Sequence, residues 1–308
     1  MTSLRRPPAL RRGDRVAVLA PASPIERAVF ERGVAELRNL GFEPVFDERA
    51  LAASGYLAGP AAQRAAAFRQ AWEDPDIAGI VAVRGGYGSA QLLPLLDAAA
   101  LRRAPKAVLG CSDLTALLAY LTTGCGVVGF HGPMAVNLAQ GAAGYDRNSL
   151  LGCLSVPEPL GPLRPPGVEV IRRGTARGVL LGGTLTLLLA SLATPYAFAP
   201  PARYVLFLDD VGERPYRIDR MVTQLRQSGL IDAASAVVCA EFPGCRDDTG
   251  RDARSVCAEL LADFSGPVLF GFPSGHTSGP GLTLPLGVAV TVDAEASPGL
   301  IIEEAAVS

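Results

Sequence analysis

The chain carries two histidines, His131 and His276, so any serine–histidine or cysteine–histidine chemistry must use one of them. His276 stands in Gly271-Phe272-Pro273-Ser274-Gly275-His276-Thr277, a glycine-rich loop free to present a base. His131 stands in Gly129-Phe130-His131-Gly132-Pro133, at the end of an apolar run where a lone histidine is more often structural. The candidate nucleophile lies in Gly110-Cys111-Ser112-Asp113, between an apolar run and a helical pattern. A sharp strand-to-helix turn lifts a hydroxyl above a sheet, and the helix N-terminus offers backbone N–H groups to an oxyanion. The motif lacks the final glycine of G-x-S-x-G, and Ser112 or Asp113 could instead cap the helix. Cys111 is a rival nucleophile. For the acid, Leu208-Asp209-Asp210 ends a strongly apolar run, with Glu213 shortly after. A carboxylate there can hold a histidine tautomer and stabilise the imidazolium; a solvated loop is the bland alternative. Arg84-Gly85-Gly86-Tyr87-Gly88 is neither G-x-G-x-x-G nor a Walker loop, though its N–H groups could supply an oxyanion donor.

The elements that must position these residues read as α/β. Apolar runs at 15–20, 77–83, 107–110 and 127–130 predict strands of a parallel sheet. Helical patterns at 25–40, 61–73, 89–97 and 114–121 alternate with them. Residues 155–174 gather five prolines with Gly161 and Gly167 and read as a linker. Beyond it the sequence predicts helices at 183–194, 217–228 and 252–264. Strands are predicted at 204–208, 236–240, near Val268 and at 288–292. The expected layout is an N-terminal parallel-sheet domain over 1–155, a linker over 156–175, and a smaller C-terminal α/β domain with a mixed sheet over 176–308.

Composition limits the function classes. At about 150 residues per domain, 308 residues suggest two domains. A 49% hydrophobic, 19% charged chain excludes intrinsic disorder, and a net charge of -2 argues against nucleic acid as a partner. Lys106, in Ala104-Pro105-Lys106-Ala107, is the sole lysine and lies in no phosphate loop. The six cysteines show no Cys-x-x-Cys spacing, so neither a metal site nor a disulfide framework is expected, and no cofactor is implied. Residues 178–202 are apolar, but Gly182-Gly183 and Thr194-Pro195 leave a stretch shorter than the roughly 20 residues of a membrane span. The basic residues Arg11, Arg12 and Arg15 interrupt any signal-peptide core near the N-terminus. A cytoplasmic protein with no membrane partner is the expectation.

Taken in order, the motifs resemble the LD-carboxypeptidases, the serine peptidase family of muramoyl-tetrapeptide carboxypeptidases and microcin-immunity peptidases. The matching segments begin with Ala20-Pro21-Ala22-Ser23, Val83-Arg84-Gly85-Gly86-Tyr87-Gly88 and Gly110-Cys111-Ser112-Asp113-Leu114-Thr115. Gly132-Pro133-Met134, Gly182-Gly183-Thr184-Leu185 and Leu208-Asp209-Asp210 through Arg217-Ile218-Asp219-Arg220 follow. Gly275-His276 before Thr283-Leu284-Pro285-Leu286-Gly287 completes the set, which spans nearly the whole chain.

The resemblance implies a two-domain fold with a serine–histidine–glutamate triad, Ser112 matching the nucleophile and His276 the base. Asp209 matches the acid, where the family usually has Glu. Its side chain is shorter by roughly 1.5 Å of reach, so either the backbone compensates or Asp210 or Glu213 serves instead. The N–H groups of Gly86 and Asp113 would form the oxyanion hole, and Arg84 would meet the substrate carboxylate. Cys111 and His131 are left without a role. The implied activity is release of terminal D-alanine from cytoplasmic murein tetrapeptides in peptidoglycan recycling, by a homodimer acting on a small peptide or muropeptide. Alternatives are a microcin-immunity-type peptidase cleaving a peptidyl or acyl adenylate, a Cys111 amidotransferase-like hydrolase, and a non-catalytic muropeptide binder.

Overall fold

The computed structural model describes residues 4–308; Met1 to Ser3, with which the reading of the N-terminus opens, lie outside the described residues. The first apolar runs become β1 (Arg15–Leu19), β2 (Glu43–Val45), β3 (Ile77–Ala82), β4 (Ala107–Gly110) and β5 (Gly129–His131). In β3 and β4 almost every side chain is buried, the pattern of strands covered on both faces. The chain continues through β6 (Gly161–Leu163), β7 (Glu169–Arg172), β8 (Thr175–Thr184) and β9 (Tyr204–Asp209). The last strands are β10 (Ala234–Ala240), β11 (Val268–Phe272), β12 (Leu284–Leu286), β13 (Ala289–Asp293) and β14 (Gly299–Ile302).

Two sheets result. The first has the order β12-β5-β4-β3-β1-β2, with β1 to β5 parallel and β12 antiparallel at its edge. The second has the order β6-β14-β13-β8-β9-β10-β11-β7. Its centre, β8 to β11, is parallel, and antiparallel strands flank it on both sides. This is the α/β class expected, a parallel first sheet and a mixed second one. The second sheet is nonetheless the larger, eight strands to six.

Helices pack by their apolar stripes. Arg27–Leu40 buries Phe30, Val34, Leu37 and Leu40 on one face and ends at Gly41, whose φ of 103° forms a left-handed cap. Among the described residues no helix is long and apolar enough to cross a membrane.

Four differences from the sequence reading have physical causes. Residues 175–184 form strand β8, whereas Gly182-Gly183 reads as a helix start; the helix is only Leu185–Ser191. Both glycines sit at positive φ, and a Cβ on Gly183 would stand 2.6 Å from Thr115 Oγ1, so they permit close approach within a strand. The segment read as a linker carries the edge strands β6 and β7. Residues 89–95 form a 3-10 helix around Pro94 rather than an α-helix. Finally, β12 joins the first sheet; as an edge strand it tolerates Pro285, which has no N–H to donate.

Candidate active site

The glycine loop, Ser112, Asp209 and His276 all lie at or just beyond the carboxyl end of a parallel strand, where crevices open in α/β sheets. The glycine loop follows β3, Ser112 follows β4, Asp209 ends β9, and His276 follows β11. Ser112 is held at φ 60°, a left-handed conformation that strains a residue bearing a Cβ. Such strain is the mark of a nucleophile lifted out of its strand. Gly85 makes room for it: a Cβ there would stand 2.7 Å from Ser112 Cβ and 2.9 Å from Oγ. The Asp113 side chain, 1% exposed, accepts the N–H groups of Gly88 at 3.2 Å and Ser89 at 2.8 Å. Ser89 Oγ in turn donates to the Asp113 carbonyl at 2.5 Å. The Ser112 turn and the glycine loop are therefore one hydrogen-bonded unit. Among the described residues, the backbone N–H groups of Gly86 and Asp113 find no protein acceptor.

Asp209 is fully buried and accepts twice from His276: from Nδ1 at Oδ2, 2.8 Å, and from the backbone N–H at Oδ1, 3.1 Å. Thr184 Oγ1 donates to the same Oδ2 at 3.3 Å. The short side chain thus reaches the imidazole because the loop brings His276 down to it. Gly275 allows that approach at φ 81°, with a Cβ position only 2.5 Å from Asp209 Oδ2. Burial alone would push the His276 imidazole down; the hydrogen bond and charge of Asp209, with the charge of Asp210, outweigh it and hold its pKa above the usual value.

The other candidate acids are committed elsewhere. Asp210 Oδ2 accepts the Thr186 N–H at 3.0 Å and hydroxyl at 2.7 Å, and Oδ1 accepts the Val211 N–H at 2.9 Å. Glu213 pairs with Arg217 at 3.3 Å. Cys111 is buried, and burial together with the Asp209 charge holds its thiol far above the thiolate range. Lys106 donates to the Ala71 and Asp74 carbonyls, closing a helix terminus. Arg84 is exposed and makes one long bond, 3.4 Å to the Pro24 carbonyl.

Ser112, His276, Arg84 and Gly86 line one cavity of about 430 Å³, with Asn137, Gln140, Thr277 and Ser278 adding polar groups. The serine hydroxyl and the imidazole share this space without a hydrogen bond between them, as catalytic pairs often do before substrate tightens them.

Two supporting residues hold these loops: Arg64, which stands in no motif, and Ser23, the last residue of the Ala20-Pro21-Ala22-Ser23 segment. Arg64 is 4% exposed and donates to the Pro21, Gly59 and Gly88 carbonyls, tying the first loop to the glycine loop. Ser23 Oγ accepts from the Tyr87 N–H at 3.1 Å and donates to the Tyr56 carbonyl at 2.7 Å. The sole signal for Arg64 was its place on the apolar face of a helix rich in alanine.

Comparison with known proteins agrees with this arrangement. Residues 16–132 match the LD-carboxypeptidase N-terminal domain, and residues 177–292 match the LD-carboxypeptidase C-terminal domain. The murein tetrapeptide carboxypeptidase of Pseudomonas aeruginosa is 34% identical over 273 residues, 85% of this chain and 88% of that protein. The solved microcin C7 self-immunity protein MccF superposes with a TM-score of 0.88 at 26% identity, covering 99% of this chain and 100% of its own. The muramoyltetrapeptide carboxypeptidase of Oxalobacter formigenes gives 0.82 at 28% identity, covering 94% and 99%. With both halves of the family pattern matched in order, the protein belongs to the LD-carboxypeptidase family of peptidases.

Proposed function

We propose that the protein is a serine-type carboxypeptidase that hydrolyses the L,D-peptide bond releasing terminal D-alanine from murein tetrapeptides. The observation that carries this reading is the 2.8 Å Asp209–His276 pair at the rim of the cavity lined by the strained Ser112. In this reading, residues 1–155 bring the nucleophile and 176–308 bring the acid and the base.

Asp209 holds Nδ1–H of His276, which leaves Nε2 to take the Ser112 proton as Oγ attacks the scissile carbonyl. The N–H groups of Gly86 and Asp113 receive the oxyanion. The imidazolium then protonates the departing D-alanine nitrogen, and water, deprotonated by the same imidazole, releases the acyl group. Arg84 meets the terminal carboxylate, since a guanidinium matches carboxylate geometry and little else engages it. A cytoplasmic location, a homodimer and a role in peptidoglycan recycling belong to the same proposal.

The likeness to MccF favours a second substrate for the same machinery, an aminoacyl-sulfamoyl nucleoside. Against it, no Phe, Tyr or Trp stands among the cavity's lining residues for a nucleobase to stack on. The one tryptophan, Trp72, is buried against Phe68 rather than in the cavity. The test is incubation with free tetrapeptide and mass detection of tripeptide plus D-alanine. Ser112→Ala is expected to abolish release while leaving the unfolding temperature unchanged; undiminished release rejects the assignment. Binding of the tetrapeptide by the native protein without any turnover would leave the non-catalytic reading in its place.

A further inference from the structure

His131 ends β5, in register with Gly110 of β4 on one side and Leu284 of β12 on the other. Gly110 stands two residues before Ser112. The imidazole is wholly buried, edge-on to Phe207 of β9 with ring centroids 5.0 Å apart. Its Nδ1 lies 3.1 Å from Ser274 Oγ. A serine hydroxyl has one proton, and Ser274 gives it to the Leu282 carbonyl at 2.9 Å. Towards His131 it can then only accept, so the ring proton sits on Nδ1 and Nε2 carries a bare lone pair. Among the described residues that Nε2 has no partner.

Ser274 is two residues before His276, and Gly275 between them is pressed into the ring. A Cβ on Gly275 would stand 2.7 Å from His131 Cε1 and 2.5 Å from Asp209 Oδ2. One buried side chain thus touches the loop that carries the base, backs the acid, and shares register with the strand that carries the nucleophile. The titratable groups facing it are Asp209 and His276. Burial keeps the ring neutral, its pKa pushed down to about 4, so it sets no second cation beside the Asp209 carboxylate.

We infer that His131 is a positioning residue, whose Nδ1–H holds Ser274 and so fixes the turn that aims His276 at Ser112. The inference rests on His276 being the base of the proposed reaction. It differs from a filling role in one respect: the ring's donor matters, not only its volume. His131→Phe keeps an aromatic ring, somewhat larger than imidazole, and removes the donor, so Ser274→Ala, which adds no volume, serves as its control. His131→Asn places an amide N–H where Nδ1–H was and loses volume.

The test is steady-state kinetics of D-alanine release for both variants and for Ser274→Ala, each with a thermal unfolding curve. His131→Phe is expected to lower kcat by about 10- to 100-fold, as a misaimed base does, with KM changed by no more than about twofold. His131→Asn is expected to recover most of that loss, and Ser274→Ala to reproduce it. A native kcat in His131→Phe, or an equal loss in His131→Asn, overturns the inference. If His131→Phe does not fold, an unchanged kcat in Ser274→Ala overturns it alone. With only two histidines, the ring nitrogens of the native protein can be assigned by NMR; a proton on His131 Nε2 instead of Nδ1 also overturns it. His276→Ala separates this failure from that of the proposed function. Turnover surviving in His276→Ala removes the base itself, whereas its loss there beside a fully active His131→Phe removes only the present inference.

Discussion

Gly275→Ala adds one methyl group at the most crowded point of the site. The new carbon would meet Asp209 Oδ2 at 2.5 Å, Asp209 Cγ at 2.7 Å and His131 Cε1 at 2.7 Å. Comfortable contacts begin at roughly 3.5 Å, so the neighbours must part by roughly 0.8–1.0 Å. None of them is the far end of a flexible chain: one is a buried carboxylate at a strand end, the other a buried ring. The φ of 81° adds left-handed strain of roughly 1–2 kcal/mol for a residue with a Cβ. Overpacking adds roughly 1–3 kcal/mol more. The larger effect is on rate, because the group that moves is the Asp209–His276 pair itself. A displacement near 1 Å costs about a hundredfold in catalysis. The expected result is therefore kcat/KM for D-alanine release reduced about a hundredfold, in a protein that still folds with a lowered unfolding midpoint. Turnover within about threefold of native in the folded variant would refute the reasoning that this approach is what orients the base.

Asp209→Asn is expected to reduce kcat by about four orders of magnitude without unfolding the protein, since an amide does not hold the imidazole tautomer; rate and circular dichroism measured together check this. Asp209→Glu, although Glu is usual in the family, is expected to lose about a hundredfold, because no space remains beside Gly275 for another methylene. The kcat/KM profile is expected to rise with pH through the His276 pKa, with a midpoint above 6.5 because Asp209 stabilises the imidazolium; a midpoint at or below 6.5 contradicts the assignment. That same raised pKa contributes stability that is full below 6.5 and is lost as pH rises through the folded value. His131 acts in the opposite direction: its pKa falls from 6.5 to about 4 on folding, so its contribution is present above 6.5 and lost as pH drops toward 4. At 1.36 kcal/mol per tenfold change in proton affinity that is about 3 kcal/mol. Denaturant unfolding of native protein and His131→Asn should therefore converge in stability between pH 7 and pH 4, and parallel curves would contradict it.

Much of the first sheet could be read directly, because its strands are continuous apolar runs whose ends carry glycine or small polar residues. The Ala107–Gly110 strand and the Ala61–Glu73 helix fall where periodicity places them. The second sheet was harder for a reason visible in β8. Its glycines at 178, 182 and 183 are there for close approach, and glycine in a single sequence reads as a break. Short edge strands such as β6, β7 and β12 bury too few side chains to leave an apolar run, and their partners lie far along the chain. At the site, residue types narrowed the choice to Ser112 or Cys111, His276 or His131, and a carboxylate near Asp209; the family resemblance singled out Ser112, Asp209 and His276, and the structure brings the last two into direct contact. The residues that hold them, Arg64, Ser274 and His131, bond to backbone carbonyls or to each other across the fold, which no spacing reveals.

In the proposed reaction the catalytic groups are divided between two sheets, which raises the question of what keeps them in register. A hinge between independent halves would make assembly of the site depend on closure. The links found are of another kind. β12, which follows the His276 loop, hydrogen-bonds along β5, so the base-bearing loop is tethered to the first sheet at both His131 and Leu284. Thr184 at the end of β8 donates its N–H to Thr115 Oγ1 at 2.9 Å, inside the helix that starts just after Ser112, and its hydroxyl reaches Asp209. Gly183 lies against the same Thr115 side chain. These contacts are buried, so opening them would expose unpaired polar groups at roughly 1–3 kcal/mol each. Interlocked sheet edges therefore hold Ser112 and His276, the nucleophile and base of the proposed reaction, on the walls of one cavity.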